Sequence, residues 1–165
     1  MVKFDWKCSS PSAYPTARLH RIVSVTMKRE KFSGVGTWGD RAMAFDLNGD
    51  RKSEYFVPLD CGATGNCIWG LFAVEPVRLL GIIKGQYIFV HRRIGRWPEV
   101  ITYAHFSAVE GSLTTYRFGK RGYVPFGAGY PINHGNFDLD MQGDSGNKMP
   151  TPLERARPAC ESPGS

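Results

Sequence analysis

The chain has 165 residues, 42% of them hydrophobic and 22% charged, with 19 glycines, 13% aromatics and a net charge of +6. That length fits one domain, since domains commonly run ~100–200 residues. The Gly and aromatic content favours strands joined by tight turns over a helical bundle. No run approaches the ~18 apolar residues of a membrane-spanning helix, and no Gly-rich phosphate loop stands between a strand and a helix.

Residues 1–17 read as an irregular lead, with Ser9, Ser10, Pro11 and Pro15. From Arg18 to Met27, "RLHRIVSVTM" alternates loosely and is read as a strand; its periodicity also admits a short helix. "FSGVGTWGD" is a Gly-rich connector. Eight short β-like runs follow: Arg41–Phe45, Glu54–Leu59, Cys67–Ala73, Val77–Ile83, Gln86–His91, Glu99–Ala104, Leu113–Phe118 and Gly122–Pro125. Gly and Asn-Gly signals separate most of them, which predicts an all-β fold, a single antiparallel sheet domain over residues 18–125. A curled meander, a sandwich and a small barrel all fit. Lys84-Gly85 in "RLLGIIKGQYIFVH" is the expected two-residue turn of a hairpin. After Pro125 the apolar density falls, and residues 126–165 read as a Gly/Pro-rich tail.

The most informative stretch is "FDLNGDRKSEYFVPLDCGATGNC". Asp46, Asn48, Asp50 and Glu54 present oxygen-bearing side chains at relative positions 1, 3, 5 and 9, a pattern suited to a hard cation such as calcium. The competing reading is an acidic turn whose side chains satisfy local backbone donors. An EF-hand does not fit, because its sixth and twelfth positions are Arg51 and Val57. "DLNGDRKSEYFV" resembles the calcium loop of FG-GAP/VCBS-type repeats of integrin-like β-propellers, in which D-x-N-G-D-G-x-x-[DE] runs into an apolar strand. The resemblance implies calcium at Asp46, Asn48, Asp50 and Glu54. It extends loosely to "YRFGKRGYVP", and residues 41–125 are similar to small uncharacterised bacterial proteins carrying a like loop and Cys pair. Arg51 departs from the pattern's Gly, so a residue with a Cβ must take a left-handed turn there. One complete copy of the loop cannot build a propeller.

Four cysteines, at 8, 61, 67 and 160, allow three pairings. Cys61 with Cys67, across a Gly-containing loop, reads as a stapled hairpin, and Cys8 with Cys160 as a second bridge. Disulfides imply an oxidising compartment, extracellular or periplasmic. The opening "MVKFDWKCSSPSAYP" lacks the apolar h-region of a secretory leader; a leader already removed or a start placed elsewhere reconciles the two, and a cytoplasmic protein with free thiols also fits.

The positive charge predicts attraction to an anionic polymer. Clusters lie at Lys28, Arg29 and Lys31, at Arg92, Arg93 and Arg96, and at Lys120 and Arg121. Arg92, Arg93, Arg96 and Trp97 form the candidate ligand surface, a cationic aromatic patch. No helix suited to a DNA groove is evident, so specific nucleic-acid binding is not expected. "GDSG" at 143–146 and "TYAHFSA" at 102–108 resemble trypsin-like protease segments. Only about forty residues separate His105 from Ser145, too few for the barrel strands between them. The function expected is a non-enzymatic exported β module, calcium-stabilised, that binds a polyanion or a protein partner; the alternative is a small hydrolase using carboxylates or a metal at the acidic loop.

Overall fold

The computed structural model describes residues 2–5, 17–31, 41–90, 96–107, 110–127, 129–133 and 157–158. The chain runs β1 (Val2–Asp5), α1 (Ala17–Arg29), β2 (Met43–Phe45), β3 (Glu54–Cys61), β4 (Cys67–Val74), β5 (Val77–Gly85) and β6 (Tyr87–Val90), then β7 (Val100–His105), β8 (Glu110–Phe118), β9 (Tyr123–Pro125), β10 (Tyr130–Asn133) and β11 (Arg157–Pro158). Two sheets result. One has the order β2-β3-β4-β5; the other has the order β10-β8-β7-β6-β1-β11, with β9 also on β8. All pairings are antiparallel except that of β1 with β11.

The sheets pack face to face, which makes the fold an all-β sandwich with one helix. Met43, Phe56, Trp69, Leu71, Leu80 and Ile83 of the smaller sheet meet Ile88, Val90, Val100, Tyr116 and Tyr123 of the larger one. Helix α1 covers the other face of the smaller sheet, laying Leu19, Val23 and Met27 on Val57, Leu59 and Phe72. β3 and β4 are therefore buried on both faces. That explains why "CIWGLFAV" reads as a continuous apolar run instead of an alternating one. Extra residues at Leu59 and Leu80 interrupt the registers of β3 with β4 and of β4 with β5. Such bulges increase local twist.

Three sequence expectations change. The strand read over Arg18–Met27 is α1. Its buried residues Leu19, Val23, Thr26 and Met27 recur at helical spacing, and Val25, which an alternating reading turned inward, is 58% exposed. β5 and β6 do not form a hairpin. The chain leaves one sheet at Gly85 and joins the other at Tyr87, with the Gln86 N–H donating to the Tyr103 carbonyl at 2.6 Å. Gly85 marks close approach and not a turn: a Cβ there would lie 2.8 Å from both Thr102 Cβ and the Tyr103 carbonyl oxygen. The Trp69 indole N–H donates to the Gly85 carbonyl at 3.0 Å and holds this corner. Finally, the sheet extends beyond residues 18–125, because β1, β10 and β11 add strands from either side of that span.

Candidate functional site

Phe45 and Glu54 are cross-strand partners in β2 and β3, so the acidic segment is the loop of a hairpin. Fully buried Leu47 anchors the loop in the sandwich core. Asp46 accepts the Gly49 N–H on Oδ1 at 2.7 Å and the Arg51 N–H on Oδ2 at 3.2 Å. Asn48 Oδ1 accepts the Asp50 N–H at 2.9 Å, and its Nδ2 donates to Asp50 Oδ2 at 3.1 Å. Asp50 Oδ1 accepts the Lys52 N–H at 2.8 Å. The oxygens are thus turned inward onto the loop's own backbone, as short Asx side chains do in turns. Gly49 and Arg51 have φ of 78° and 70°. Arg51 therefore holds the left-handed turn that the resembling pattern gives to Gly, at a cost of ~1–2 kcal/mol.

Glu54 closes the base of the loop. The residue is 4% exposed, and its carboxylate accepts the Leu47 N–H on Oε2 at 2.8 Å. Burial pushes its pKa up to about 6, partly countered by the Leu47 hydrogen bond and reinforced by the charges of Asp50 and Asp46. The Glu54 charge adds to burial in raising the pKa of Tyr123, whose hydroxyl donates to the Pro98 carbonyl at 3.0 Å. Three carboxylates are thus gathered around one turn, and the buried one is forced toward its neutral form.

Beside the loop lies a cleft of about 240 Å³, lined by Asp50, Lys52, Glu54, Glu75, Arg78 and Trp97 among others. The β4–β5 turn at Glu75-Pro76 brings its far wall into place. Lys52 Nζ meets Glu75 Oε2 at 2.9 Å across the rim, and this contact raises the Lys52 pKa. Sequence reading missed the cleft because Lys52, Glu75 and Arg78 come together only through the β3–β4–β5 meander. The turn itself is marked by Pro76 between the runs Cys67–Ala73 and Val77–Ile83, but not its approach to the acidic loop.

The other candidate residues separate. Cys61 and Cys67 are register partners in β3 and β4 and are joined by a disulfide, S–S 2.08 Å. Cys8, Cys160, Arg92, Arg93 and Ser145 lie outside the described residues. Arg96 is exposed, and Trp97 is half-buried, packing on the core edge while also lining the cleft. Its ring stacks on Phe118 at 4.3 Å and meets the Tyr123 ring edge-on at 6.3 Å. His105 stands at the opposite end of the sandwich from the acidic loop. Its Nδ1 is 2.7 Å from Gln86 Oε1, and its backbone is bracketed by Asn66. Among the described residues no group of three or more His, Cys, Asp and Glu side chains has the arrangement of a metal cluster. No described helix is long and apolar enough to cross a membrane.

Comparison with protein-family models, with curated proteins and with solved structures yields no match. The functional reading therefore rests on geometry and chemistry.

Proposed function

We propose that this chain is a non-catalytic, exported binding module that takes up calcium at the Asp46–Glu54 loop. The observation that carries the reading is the buried Glu54 carboxylate held beside Asp46 and Asp50. Accepting the Leu47 N–H needs only a neutral oxygen, so chain reversal gains nothing from placing a charge there among like charges, whereas a divalent cation turns that repulsion into attraction. The side chains of Asp46, Asn48, Asp50 and Glu54 are the ligands, with backbone carbonyls and water completing the six to eight oxygens calcium requires. On binding, the loop exchanges hydrogen bonds to its own N–H groups for bonds to the ion. The Cys61–Cys67 bridge supports an oxidising setting, extracellular or periplasmic. The anionic polymer or protein partner of the module belongs to the same reading.

The test is thermal unfolding in chelator and in calcium. Affinities typical of extracellular calcium modules predict a rise of about 3–6 °C at about 5 mM calcium. The rise should be absent in Asp46→Ala and Asp50→Ala. An unchanged midpoint removes the calcium site.

The cleft favours one second reading, a small hydrolase in which Glu54 donates a proton and Asp50 acts as base. That reading predicts turnover of glycoside or ester substrates with a pH profile governed by Glu54, and loss of turnover in Glu54→Gln.

A further inference from the structure

The segment Ala17–Lys31 carries five cations and one carboxylate, a net +4 within a chain whose net charge is +6. The structure sorts these charges. Leu19, Val23 and Met27 face the sheet. Arg18, Arg21, Val25, Lys28 and Arg29 are exposed and, at about 100° per residue, fall on the opposite side of the helix. They form a stripe spanning about eleven residues, or about 16 Å along the axis. Among the described residues its ion pair is Arg29 Nε to Glu30 Oε1, 2.9 Å.

Lys28 and Arg29, in the last turn, suit the helix dipole, but the first half of the stripe is not what helix stability selects. α1 has no acidic residue in its first turn and instead carries Arg18 there, against the helix dipole. Arg18 and Arg21 are like charges at i and i+3, which repel. Val25, an aliphatic side chain, is 58% exposed in the middle of the stripe. A helix that tolerates unfavourable charge on its solvent face, with its apolar face already covered, is arranged for an outside ligand of opposite sign.

The geometry points to α1's outer face as the docking surface for an extended, linear acidic polysaccharide. The inference deepens the binding-module reading and rests on it, but does not use the calcium loop. Charge complementarity selects a polyanion, and the narrow, single-file stripe selects a linear one. A bilayer surface fits less well: the leucine, valine and methionine that would enter it are buried against the sheet, and Val25 is the aliphatic residue left outside. Single-stranded nucleic acid fits less well too, since the Arg18–Arg29 stripe itself carries no aromatic ring on which bases stack; the exposed ring of α1, His20, lies to the side of the stripe. A sugar ring needs only a small apolar contact such as Val25 between anionic groups held by the flanking guanidinium and ammonium groups.

The experiment measures heparin binding by the intact, disulfide-bonded protein, with chelator and with calcium. Two helix variants, Arg18→Gln/Arg21→Gln and Lys28→Gln/Arg29→Gln, are set against a charge-matched control, Lys120→Gln/Arg121→Gln, whose residues are exposed between β8 and β9. Unfolding midpoints establish that each variant folds, and two helix variants guard against the loss of one. Each helix variant should bind heparin about tenfold or more weakly, with the slope of log affinity against log salt reduced by about 1.4, whereas the control is unchanged. Binding should persist in chelator, so a failed calcium site and a failed docking surface give different results. Equal losses in helix and control variants overturn the inference. So does the absence of heparin binding at physiological salt. Tighter binding to phosphatidylglycerol vesicles or to a DNA oligomer than to heparin would also overturn it and assign the face to that partner.

Discussion

The two ends of β3 solve opposite problems. At its C-terminal end, Cys61 is covalently tied to Cys67, the Gly62 N–H reaches the Asn66 carbonyl at 2.9 Å, and Asn66 grips the His105 backbone across to the other sheet. The partners there are neutral and mutually satisfied. At its N-terminal end, Glu54 lies buried beside two further carboxylates, under a turn that makes Arg51 adopt a positive φ. One end of the strand adds stability, and the other stores repulsion and strain. Strain and perturbed ionisation concentrate at functional sites, which is why the proposed calcium site is set at the acidic end and not at the stapled one.

Removing the staple has the largest expected effect. Cys61→Ala/Cys67→Ala should lower unfolding free energy by about 2–3 kcal/mol through the freed unfolded chain, read by denaturant titration, with calcium dependence of the midpoint retained. Loss of calcium dependence together with stability would mean that the two ends are not separate.

Neutralising the acidic end should have the opposite sign. The folded pKa of Glu54, about 6, lies above the 4.5 of the free side chain, so the folded state binds this proton more tightly. The resulting stabilisation is complete below the unfolded pKa and is lost as pH rises through about 6. In chelator, the wild-type protein should therefore lose up to about 2 kcal/mol from this group between pH 4 and pH 7. Glu54→Gln, which keeps an acceptor for the Leu47 N–H, should abolish that part of the pH dependence and be more stable at pH 7. A destabilised Gln variant with unchanged pH dependence would sink the electrostatic account.

The smallest effect is at Arg51. Glycine relieves the left-handed strain but gains freedom in the unfolded chain, so Arg51→Gly should stabilise by about 1 kcal/mol or less. Removal of the guanidinium should at the same time tighten calcium binding. A clear destabilisation would mean that the Arg51 side chain supports the loop.

Much of the sheet was legible because its strands are apolar runs bounded by Gly, Asn or Cys, and because the Cys61–Cys67 spacing suits a short hairpin. The helix was not, since Leu19, Ile22, Val23 and Met27 mix with Val25 in a pattern that both periods partly match. Gly85 was misread because a glycine that permits two sheets to approach looks, in sequence, like one that makes a turn. In the acidic loop the residue types and the left-handed Arg51 were legible. What the sequence could not convey was the burial of Glu54, which depends on the larger sheet packing against β3 from residues far along the chain. Trp97 was likewise assigned to a surface because its partners, Phe118 and Tyr123, come from β8 and β9.

The most direct measurement is a carbon-13 NMR pH titration of the Glu54 side-chain carboxyl, with chelator and with calcium. The account predicts a midpoint near 6 in chelator and a marked drop when calcium is added, as the ion stabilises the carboxylate. A midpoint at the ordinary glutamate value in chelator, or one that calcium leaves in place, would contradict it.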